Sequence, residues 1–416
     1  MSVPHRKRIV IVGAGFGGIR LALDLARRRL PYTRIILISD KPHFEYHAAL
    51  YRVVTGHSPL ETCVPLREIF AHTPVELLED RIVEINLEKK ELKGNSGTRY
   101  EYETLVLALG SETEYFNIPG LKENSYGFKT VSEALALKRH LHEMMVAVSK
   151  VGTMDEKVKA AHFVVVGGGA SGTEIAGDLA HYAKKIAVTH KLDASIVTID
   201  VVEAAPRLVS MLLPKFSERV ESRLRELGVN IFLNRAVVQE EVETVYLKDM
   251  QFKTQTLIWT AGIRAHRLLA ATSNLGTDKK GRVVVDEYLR AKNHEDVFAI
   301  GDAAATTYSG MAQTAIYDAH YVAERIAENT LGNHAWRLKY VPRKPWYVIP
   351  AGHHWAGAQI GKLLFFGRVG WFLRRLADFR AFTMLMPARK AISTFLSTSK
   401  FSETCPLCET EKDQNS

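Results

Sequence analysis

The chain has 416 residues, of which 46% are hydrophobic and 24% are charged. That length and composition exclude a disordered chain and are typical of two or three globular domains. The formal net charge is +9, and residues 357–401 contain eight Lys or Arg residues against one acid, Asp378, so most of the surplus lies in one C-terminal segment.

The first residues of the chain bear on its location. The sequence MSVPHRKRIVIVGAG enters an apolar strand early, without the apolar region and cleavage site of a secretory signal. Arg or Lys interrupts every long apolar run, so we expect no membrane-spanning helix. Cys63, Cys405 and Cys408 are too few and too unevenly placed for a disulfide framework. We therefore expect a cytoplasmic protein with free thiols and no bound metal.

A first nucleotide-binding pattern begins close to the N-terminus. An apolar strand is predicted over 8–12, followed by glycines at 13, 15 and 18, an amphipathic helix, and a second strand over 34–39 that ends at Asp40. The glycines permit a tight turn and a close approach of pyrophosphate, and Asp40 is placed to bind a ribose. The alternative, that the glycines serve only a turn, does not account for the flanking strand, helix and acid.

The same pattern returns in the middle of the chain. A strand over 162–166 precedes glycines at 167, 169 and 172, a helix, and a strand over 196–202 that ends at Glu203. An acid here binds a ribose 2′-hydroxyl and repels a 2′-phosphate, which favours NADH over NADPH. Arg207 could bind such a phosphate and limits that preference.

Three further apolar strands stop at small residues. They are predicted over 105–109 before Gly110, over 257–260 before Ala261 and Gly262, and over 297–300 before Gly301 and Asp302. Asp302 either presents a carboxylate to a ligand hydroxyl or caps the helix that begins near Met311. The first and last strands fit the first sheet and the middle one fits the second.

The predicted fold is therefore α/β, with two Rossmann-type dinucleotide-binding units and a C-terminal module. The first unit is discontinuous, comprising 1–115 and 288–340, and the second, over 116–287, is inserted into it. A C-terminal amphipathic module over 341–400 and a disordered tail over 401–416 complete the chain.

Several stretches together resemble the two-dinucleotide-binding flavoprotein superfamily and, within it, the type II NADH dehydrogenases, which are single-subunit NADH:quinone oxidoreductases. The stretches are IVIVGAGFGGIRLA, LISDKPHF, ALYRVVTG, TLVLALGS, FVVVGGGASGTEIAGDLA, LIWTAGIRAH, DVFAIGDAAA and MAQTAIYDA. The resemblance implies non-covalent FAD in the first unit and NADH in the second. It covers residues 8–331.

The resemblance also implies site residues. The cofactor-binding set is Gly13, Gly15, Phe16, Gly17, Gly18, Asp40, Lys41, Ala108, Gly110, Gly301, Asp302, Ala312, Gln313, Gly167, Gly169, Ala170, Ser171, Gly172, Glu203, Ala261 and Gly262. The catalytic candidates are Glu174 at the nicotinamide–flavin junction, and Gln313 and Tyr317 on the quinone side. Glu174 also fits a simpler role as a first-turn acid.

The sequence departs from the family pattern at two places. Relatives usually carry a second Gln where this chain has Tyr317, and most have a proline before the Ala-Gln pair where this chain has Ser309, Gly310 and Met311. Gln313 and Tyr317 are four apart and share a helix face, so the phenol could still bond a quinone.

Cysteine usage separates this chain from other flavoproteins. Disulfide reductases and sulfide:quinone oxidoreductases place cysteines beside the flavin, and neither repeat here contains such a pair. We interpret Cys63 as a small apolar residue.

The basic C-terminal segment predicts an interfacial helix. Trp371, Phe372, Leu373, Leu376, Phe379, Phe382 and Leu385 fall mostly on one stripe, beside Arg374, Arg375 and Arg380. We expect residues 357–401 to bind an anionic membrane surface, with a homodimer interface or core packing as the alternative. No nucleic-acid-reading motif accompanies the charge.

The expected function is transfer of a hydride from NADH to FAD and of two electrons on to a membrane quinone, without proton pumping. The expected location is peripheral, on the cytoplasmic face of the cell membrane. Two alternatives remain open: an NADH-dependent reductase of a soluble iron–sulfur protein, and a non-catalytic NADH-sensing flavoprotein.

Overall fold

The computed structural model describes residues 6–150, 153–333 and 338–397. The predicted tail over 401–416, with Cys405 and Cys408, and Lys400 lie outside these residues. Within the described ranges, none of the helices combines the length and apolarity needed to cross a membrane.

The helices are α1 Phe16–Arg28, α2 Leu50–Val54, α3 Leu66–Ile69, α4 Leu121–Asn124, α5 Val131–Lys150, α6 Met154–Ala160, α7 Ala170–Thr189, α8 Pro214–Glu226, α9 Arg267–Ala271, α10 Ala312–Thr330, α11 Arg368–Leu385 and α12 Ala388–Ser397. The strands are β1 Lys7–Val12, β2 Thr33–Ser39, β3 His43–Glu45, β4 Cys63–Pro65, β5 Val75–Glu79, β6 Ile82–Asn86, β7 Glu91–Gly94, β8 Arg99–Glu101, β9 Thr104–Leu107, β10 Ser111–Thr113, β11 Ser125–Tyr126, β12 His162–Val166, β13 Thr198–Glu203, β14 Val229–Leu233, β15 Val237–Glu241, β16 Thr244–Leu247, β17 Gln251–Lys253, β18 Thr256–Trp259, β19 Ile263–Ala265, β20 Val297–Ala299, β21 Tyr347–Pro350, β22 Ala356–Ile360 and β23 Leu363–Phe365.

The first parallel sheet has the strand order β20-β9-β1-β2-β5. The last four residues of β1 are buried, because helices cover one face of the sheet, and the β6-β7-β8 sheet, α9 and neighbouring loops cover the other. Helices α1 and α10 pack together on one face. The predicted strands at 8–12, 34–39, 105–109 and 297–300 all appear in this sheet, within two residues of their predicted bounds.

The second parallel sheet has the strand order β11-β18-β12-β13-β14. Its central strand, β12, has the predicted bounds and is buried throughout. The strand predicted over 196–202 starts later, at Thr198, because residues 194–196 form a short 3-10 helix. The strand predicted over 257–260 lies in this sheet, as expected.

The two sheets are joined by an antiparallel pair, β10 with β19. After β19 the chain returns to the first sheet, since Leu268, Leu269, Leu275, Val283 and Ala291 are buried in the core that β1 and β9 share. This packing is with the first sheet, although the part of the segment up to residue 287 lies in the range predicted above for the second unit.

The C-terminal segment packs on both units. The meander β21-β22-β23 lies against α7 and α8 at close range: a Cβ on Gly177 would fall 2.4 Å from the Gly352 nitrogen, and one on Gly357 would fall 2.7 Å from the Phe216 ring. The ring of Phe382 on α11 packs at a tilt of 49° against that of Tyr46, with ring centroids 4.6 Å apart.

The structure corrects the predicted stripe on α11. Phe382 and Leu385 are fully buried in the first unit, and Arg374 is only 5% exposed, so none of the three faces solvent. The apolar residues that remain exposed are Val369, Phe372 and Leu376. The predicted stripe merged two faces of one helix, because apolar residues that pack in a core repeat at the same spacing as those that meet a membrane.

Candidate functional site

The first glycine turn joins β1 to α1 through close backbone contacts. Gly13 has a φ of +107°, and a Cβ there would lie 2.4 Å from the carbonyl oxygen of Ala108. A Cβ on Gly18 would lie 1.8 Å from the carbonyl oxygen of Gly13. Gly15 differs: no heavy atom of the described chain lies within 4 Å of its Cβ position, and no side chain caps α1. The free N–H groups at the start of this helix suit a pyrophosphate.

Other predicted residues around this turn have varied roles. Phe16 begins α1, and its ring packs edge-on against Phe44 at 5.2 Å. A Cβ on Gly17 would lie 3.0 Å from the Ile300 side chain, so this glycine allows close helix packing. Gly110 has a φ of +70° and, among the described residues, no neighbour within 4 Å of its Cβ position.

The two predicted acids of the first unit stand at strand ends. Asp40 follows β2 and is exposed. Asp302 accepts hydrogen bonds from the Ser111 hydroxyl at 2.6 Å and the Gly310 N–H at 2.9 Å. The Lys129 ammonium donates to Ser111 at 2.8 Å, and burial lowers the pKa of this lysine. Asp302 therefore belongs to a polar chain and does not cap α10.

The segment around Gly301 is held by a buried acid. Gly301 has a φ of +63°, and its N–H donates to Asp318 at 2.9 Å. The Tyr340 hydroxyl donates to the other oxygen of Asp318, and burial raises the pKa of this carboxyl to about 6. Helix α10 begins at Ala312, one residue after the predicted start, with Met311 as an N-cap that makes no side-chain hydrogen bond.

The second glycine turn repeats the geometry of the first. Gly167 has a φ of +108°, and a Cβ there would lie 2.8 Å from the Cα of Ala261. A Cβ on Gly172 would lie 1.7 Å from the carbonyl oxygen of Gly167. At Gly169 no described heavy atom lies within 4 Å of the Cβ position, and α7 also has no side-chain cap. The chain thus holds two helix N-termini suited to dinucleotide phosphates.

The remaining predicted residues of this turn lie beside it. Ala170 and Ser171 are the first residues of α7, half-buried and exposed respectively. Gly262 follows β18, and a Cβ there would lie 2.4 Å from the carbonyl oxygen of Glu114. Gly262 therefore allows the chain to pass close to residues 114–116.

Glu203 and Arg207 take different positions after β13. The Glu203 carboxylate accepts the N–H groups of Gly168 at 2.5 Å and Ala205 at 2.7 Å, which holds it beside the turn. Arg207 instead donates to the Ser217 hydroxyl at 2.9 Å and to backbone carbonyls of its own loop. The Arg207 guanidinium is therefore engaged within the protein, whereas the Glu203 carboxylate lies at the glycine turn.

Glu174 is the fifth residue of α7, beyond its first turn, so the prediction of a first-turn acid is wrong. Its side chain is buried and paired with α11. Its carboxylate accepts a hydrogen bond from Arg374 at 2.9 Å, and Arg374 also donates to Asp378 at 3.0 Å. The same guanidinium donates to the carbonyl oxygens of Ala48 and Val348. Burial raises the pKa of Glu174 to about 7 against the opposing effect of Arg374.

More charged groups surround this pair. Asp378 accepts a hydrogen bond from the Tyr46 hydroxyl at 2.8 Å and one from Arg52 at 3.2 Å. Arg52 lies 3.7 Å from Glu61, which is 1% exposed. Asp178, one helical turn after Glu174, is half-buried at the edge of this set and is also held near Arg52. We name this set the buried charge cluster: Tyr46, Arg52, Glu61, Glu174, Asp178, Arg374 and Asp378.

The predicted quinone-side residues contact the C-terminal segment. The Gln313 amide forms two hydrogen bonds with the Trp346 backbone, at 2.8 and 3.1 Å. The ring of Tyr317 lies 4.4 Å from the Arg343 guanidinium and 5.7 Å from the Tyr340 ring. The Gln313 amide therefore binds the Trp346 backbone and is not left free. Among the described residues, no hydrogen bond, ion pair or ring contact joins Gln313 or Tyr317 to Glu174.

Lys41 and Cys63 both lie beside Glu45. Lys41 donates to Glu45 at 2.8 Å, and although burial opposes it, the His47 and Lys41 side chains lower the pKa of Glu45 to about 2. Lys41 is therefore paired with a carboxylate of the protein, and it directly follows Asp40, the residue predicted to bind the ribose. Cys63 is half-buried, and burial followed by the charge of Glu45 raises the pKa of its thiol. This agrees with a non-reactive cysteine.

Comparison with known proteins gives the chain its family. A family model described as pyridine nucleotide-disulphide oxidoreductase matches residues 7–319. The type II NADH:quinone oxidoreductase Ndh of Mycobacterium tuberculosis is 30% identical over 389 residues, covering 89% of this chain and 83% of the relative. The chain belongs to the pyridine nucleotide-disulphide oxidoreductases and, within them, to the type II NADH:quinone oxidoreductase family. It is therefore an enzyme, as the sequence predicted.

Other comparisons agree. The type II NADH:quinone oxidoreductase of Staphylococcus haemolyticus is 26% identical, with 90% of this chain and 95% of the relative covered. Among solved structures, NDH2 from Plasmodium falciparum in complex with NADH has a TM-score of 0.83 at 17% identity, covering 94% of this chain and 97% of that one. The sulfide:quinone oxidoreductase of Aquifex aeolicus has a TM-score of 0.77 at 20% identity, covering 96% and 98%. At these identities the structures support the fold.

Sequence reasoning missed much of the buried charge cluster. Asp378 is the one acid in a basic segment and follows Arg374 by four residues, which is the spacing of a helical ion pair and was an available signal. Lys129 and Glu61 gave no comparable signal, because their partners come from distant parts of the chain.

Proposed function

We propose that this enzyme transfers a hydride from NADH to non-covalently bound FAD and passes two electrons on to a membrane quinone, without proton pumping. The observation that carries the proposal is the pair of glycine turns, at Gly13–Gly18 and Gly167–Gly172. Each has an uncapped helix N-terminus and one glycine whose Cβ position is clear of described protein atoms. Two dinucleotides in one chain fit hydride transfer between them.

The residues present fit FAD at the first turn. The N-terminus of α1 favours the pyrophosphate, Asp40 is exposed at the strand end where a ribose would lie, and Asp302 points its carboxylate into a polar chain with Ser111. When bound, FAD supplies the hydride-accepting and electron-passing chemistry. The chain supplies binding, orientation and charge.

NADH fits the second turn. Glu203 is fixed by two backbone N–H groups and keeps acceptor capacity for a ribose hydroxyl, and its charge would repel a 2′-phosphate. Glu174, two residues after the final glycine, is held in place by Arg374. We assign Glu174 a role in ordering the nicotinamide, and Gln313 and Tyr317 a role in shaping the acceptor side through residues 343–346.

The proposed quinone route uses the C-terminal surface. Five large apolar side chains of α11 and α12 are between 49% and 62% exposed: Val369, Phe372, Leu376, Ile392 and Leu396. Arg368, Arg380 and Arg389 are also exposed on these two helices. An apolar surface with nearby arginines suits the interface of an anionic membrane, on the cytoplasmic face. A second copy of the chain is the alternative occupant.

The first test measures NADH oxidation by the purified protein with a short-chain quinone. The proposal predicts rapid turnover, FAD released intact by denaturation, and a fall of at least about tenfold in kcat/KM for Glu174→Gln. Glu218→Gln, an exposed carboxylate on α8, serves as the control. Reduction of the flavin by NADH with no quinone turnover, but turnover with a small iron–sulfur protein, would replace quinone as the acceptor.

The second test addresses the membrane. Phe372→Ser with Leu376→Ser is expected to abolish sedimentation with anionic vesicles, while Val242→Ser, a 77% exposed apolar residue of the second unit, leaves it unchanged. If the double variant still sediments but no longer elutes as a dimer, this surface is a homodimer interface.

A further inference from the structure

The buried charge cluster contains more negative than positive groups. Its cations are Arg52 and Arg374, and its carboxyls are Glu61, Glu174, Asp178 and Asp378. With every carboxyl ionised, the cluster would carry two excess negative charges, and one would remain even if the half-buried Arg375, which faces Glu61, is counted with it. Burying uncompensated charge is unfavourable, and buried groups respond by binding protons. The composition therefore requires protons on some of these carboxyls.

Asp378 is the carboxyl that stays ionised. Burial opposes its charge, but Arg374 and Arg52 outweigh burial and lower its pKa, and the Tyr46 hydroxyl donates to it as well. Glu61 has the opposite environment. It is 1% exposed, neither of its oxygens has a hydrogen-bond partner among the described residues, and Arg52 approaches only to 3.7 Å.

The other carboxyls also bind protons readily. Burial, partly offset by arginines, raises the pKa of Glu61 to about 7, of Glu174 to about 7 and of Asp178 to about 6. These groups face Arg52 and Tyr51 from α2, Thr55 after it, and Arg374, Arg375 and Asp378 from α11. Helix α12 also packs on residues 59–61, but its Lys390 is paired with Glu68.

The cluster lies between the two glycine turns. Tyr46, which donates to Asp378, packs against Phe16, the first residue of α1, with ring centroids 5.7 Å apart. Glu174 is the fifth residue of α7, two residues after the last glycine of the second turn. Hydride transfer would leave one added negative charge on the flavin and one added positive charge on the nicotinamide. Once NAD⁺ leaves, only the negative charge remains, and a nearby negative charge raises a carboxyl pKa.

We propose that Glu61, Asp178 and Glu174 share exchangeable protons, and that the cluster takes up a proton once a hydride has passed from NADH to FAD and NAD⁺ has left. This inference rests on the proposed function. Reduction of a quinone by NADH consumes one proton from water: NADH, H⁺ and quinone give NAD⁺ and quinol. The hydride carries two electrons and one proton, and the cluster holds the second proton. Glu61 and Asp178 act as positioning residues for it.

The test measures protons and flavin together. Oxygen-free NADH is mixed with the FAD-loaded protein in weak buffer containing a pH-indicator dye, within about one unit of pH 7. A one-unit rise in the pKa of a group that is half protonated brings it to about nine-tenths protonated, so we expect uptake of about 0.4 proton per flavin. Glu61→Gln is expected to lose at least half of this uptake.

The control is Glu68→Gln, which makes the same change at an exposed carboxylate seven residues away and should leave proton uptake unchanged. Flavin bleaching without proton uptake overturns the inference, as does uptake that is equal in Glu61→Gln and the unchanged protein. Absence of bleaching signals failure of the proposed function instead. If Glu61→Gln does not fold, Asp178→Asn is the second variant. It should also lose at least half of the proton uptake, and uptake equal to that of the unchanged protein would overturn the inference.

Discussion

Replacement of Arg374 by Met should strongly destabilise the protein. The guanidinium is 5% exposed and donates to Glu174, Asp378 and the carbonyl oxygens of Ala48 and Val348. Arg374→Met keeps much of the side-chain volume but leaves two buried carboxyls without their main cation. Breaking a buried ion pair in this way costs about 3–5 kcal/mol. Helix α11 should then detach more easily from both nucleotide-binding units.

Thermal unfolding followed by circular dichroism measures this loss. For units of this size, about 3–5 kcal/mol corresponds to a fall in Tm of roughly 10 °C. The matched control is Arg375→Met on the same helix, whose guanidinium is half-buried over the Phe395 ring and should contribute only about 1 kcal/mol.

The loss should also depend on pH. Glu174 has a folded-state pKa raised to about 7, so the folded state binds more protons than the unfolded state and stability falls as the pH rises from about 4.5. Without Arg374 that pKa rises further. The destabilisation by Arg374→Met should therefore be larger at pH 8 than at pH 5. Equal, small losses for the two arginine variants, unchanged between these pH values, would refute a buried ion-paired Arg374.

Three further predictions concern the second unit. Gly172→Ala should disrupt the turn and NADH binding, because its Cβ would lie 1.7 Å from the Gly167 carbonyl oxygen. Gly169→Ala should fold normally and lower only the NADH affinity, because no described heavy atom lies within 4 Å of its Cβ position. Unfolding and NADH titration of both variants measure these effects. Glu203→Gln should reduce the selectivity for NADH over NADPH by about tenfold, or 1.4 kcal/mol, as measured by the two kcat/KM values; unchanged selectivity would exclude Glu203 as the determinant. Burial raises the pKa of Glu240 to about 8, so the folded state loses stability as the pH rises from about 4.5 to 8 and this carboxyl ionises. Glu240→Gln should therefore stabilise the protein at pH 9 by roughly 2–4 kcal/mol and have little effect at pH 5. Denaturant unfolding at both pH values measures this, and an equal effect at the two would contradict the reasoning.

Local patterns predicted the nucleotide turns well. A glycine spacing, a buried strand and a following helix are all determined within about thirty residues, so β1 with α1 and β12 with α7 could be placed from the sequence. The assignment of β20 to the first sheet and β18 to the second was also correct. It relied on a simple regularity: parallel strands that end at small residues gather at one sheet edge.

Long-range contacts explain what the sequence did not reveal. An apolar stripe with adjacent arginines fits both a membrane interface and a buried helix, and only the fold places Arg374 against Glu174, 200 residues away. Gln313 could not be paired with Trp346 because backbone partners leave no mark on side-chain spacing. Tyr317 was noticed as a departure from the family pattern, but its contact with Arg343 required the structure.

The most direct test of the central claim is NADH oxidation by the FAD-loaded enzyme with a short-chain quinone, with and without anionic vesicles. The account predicts fast turnover that vesicles increase, and loss of that increase when Phe372 and Leu376 are both changed to Ser. Reduction of the bound flavin by NADH without any electron transfer to quinone, in the presence or absence of vesicles, would contradict it.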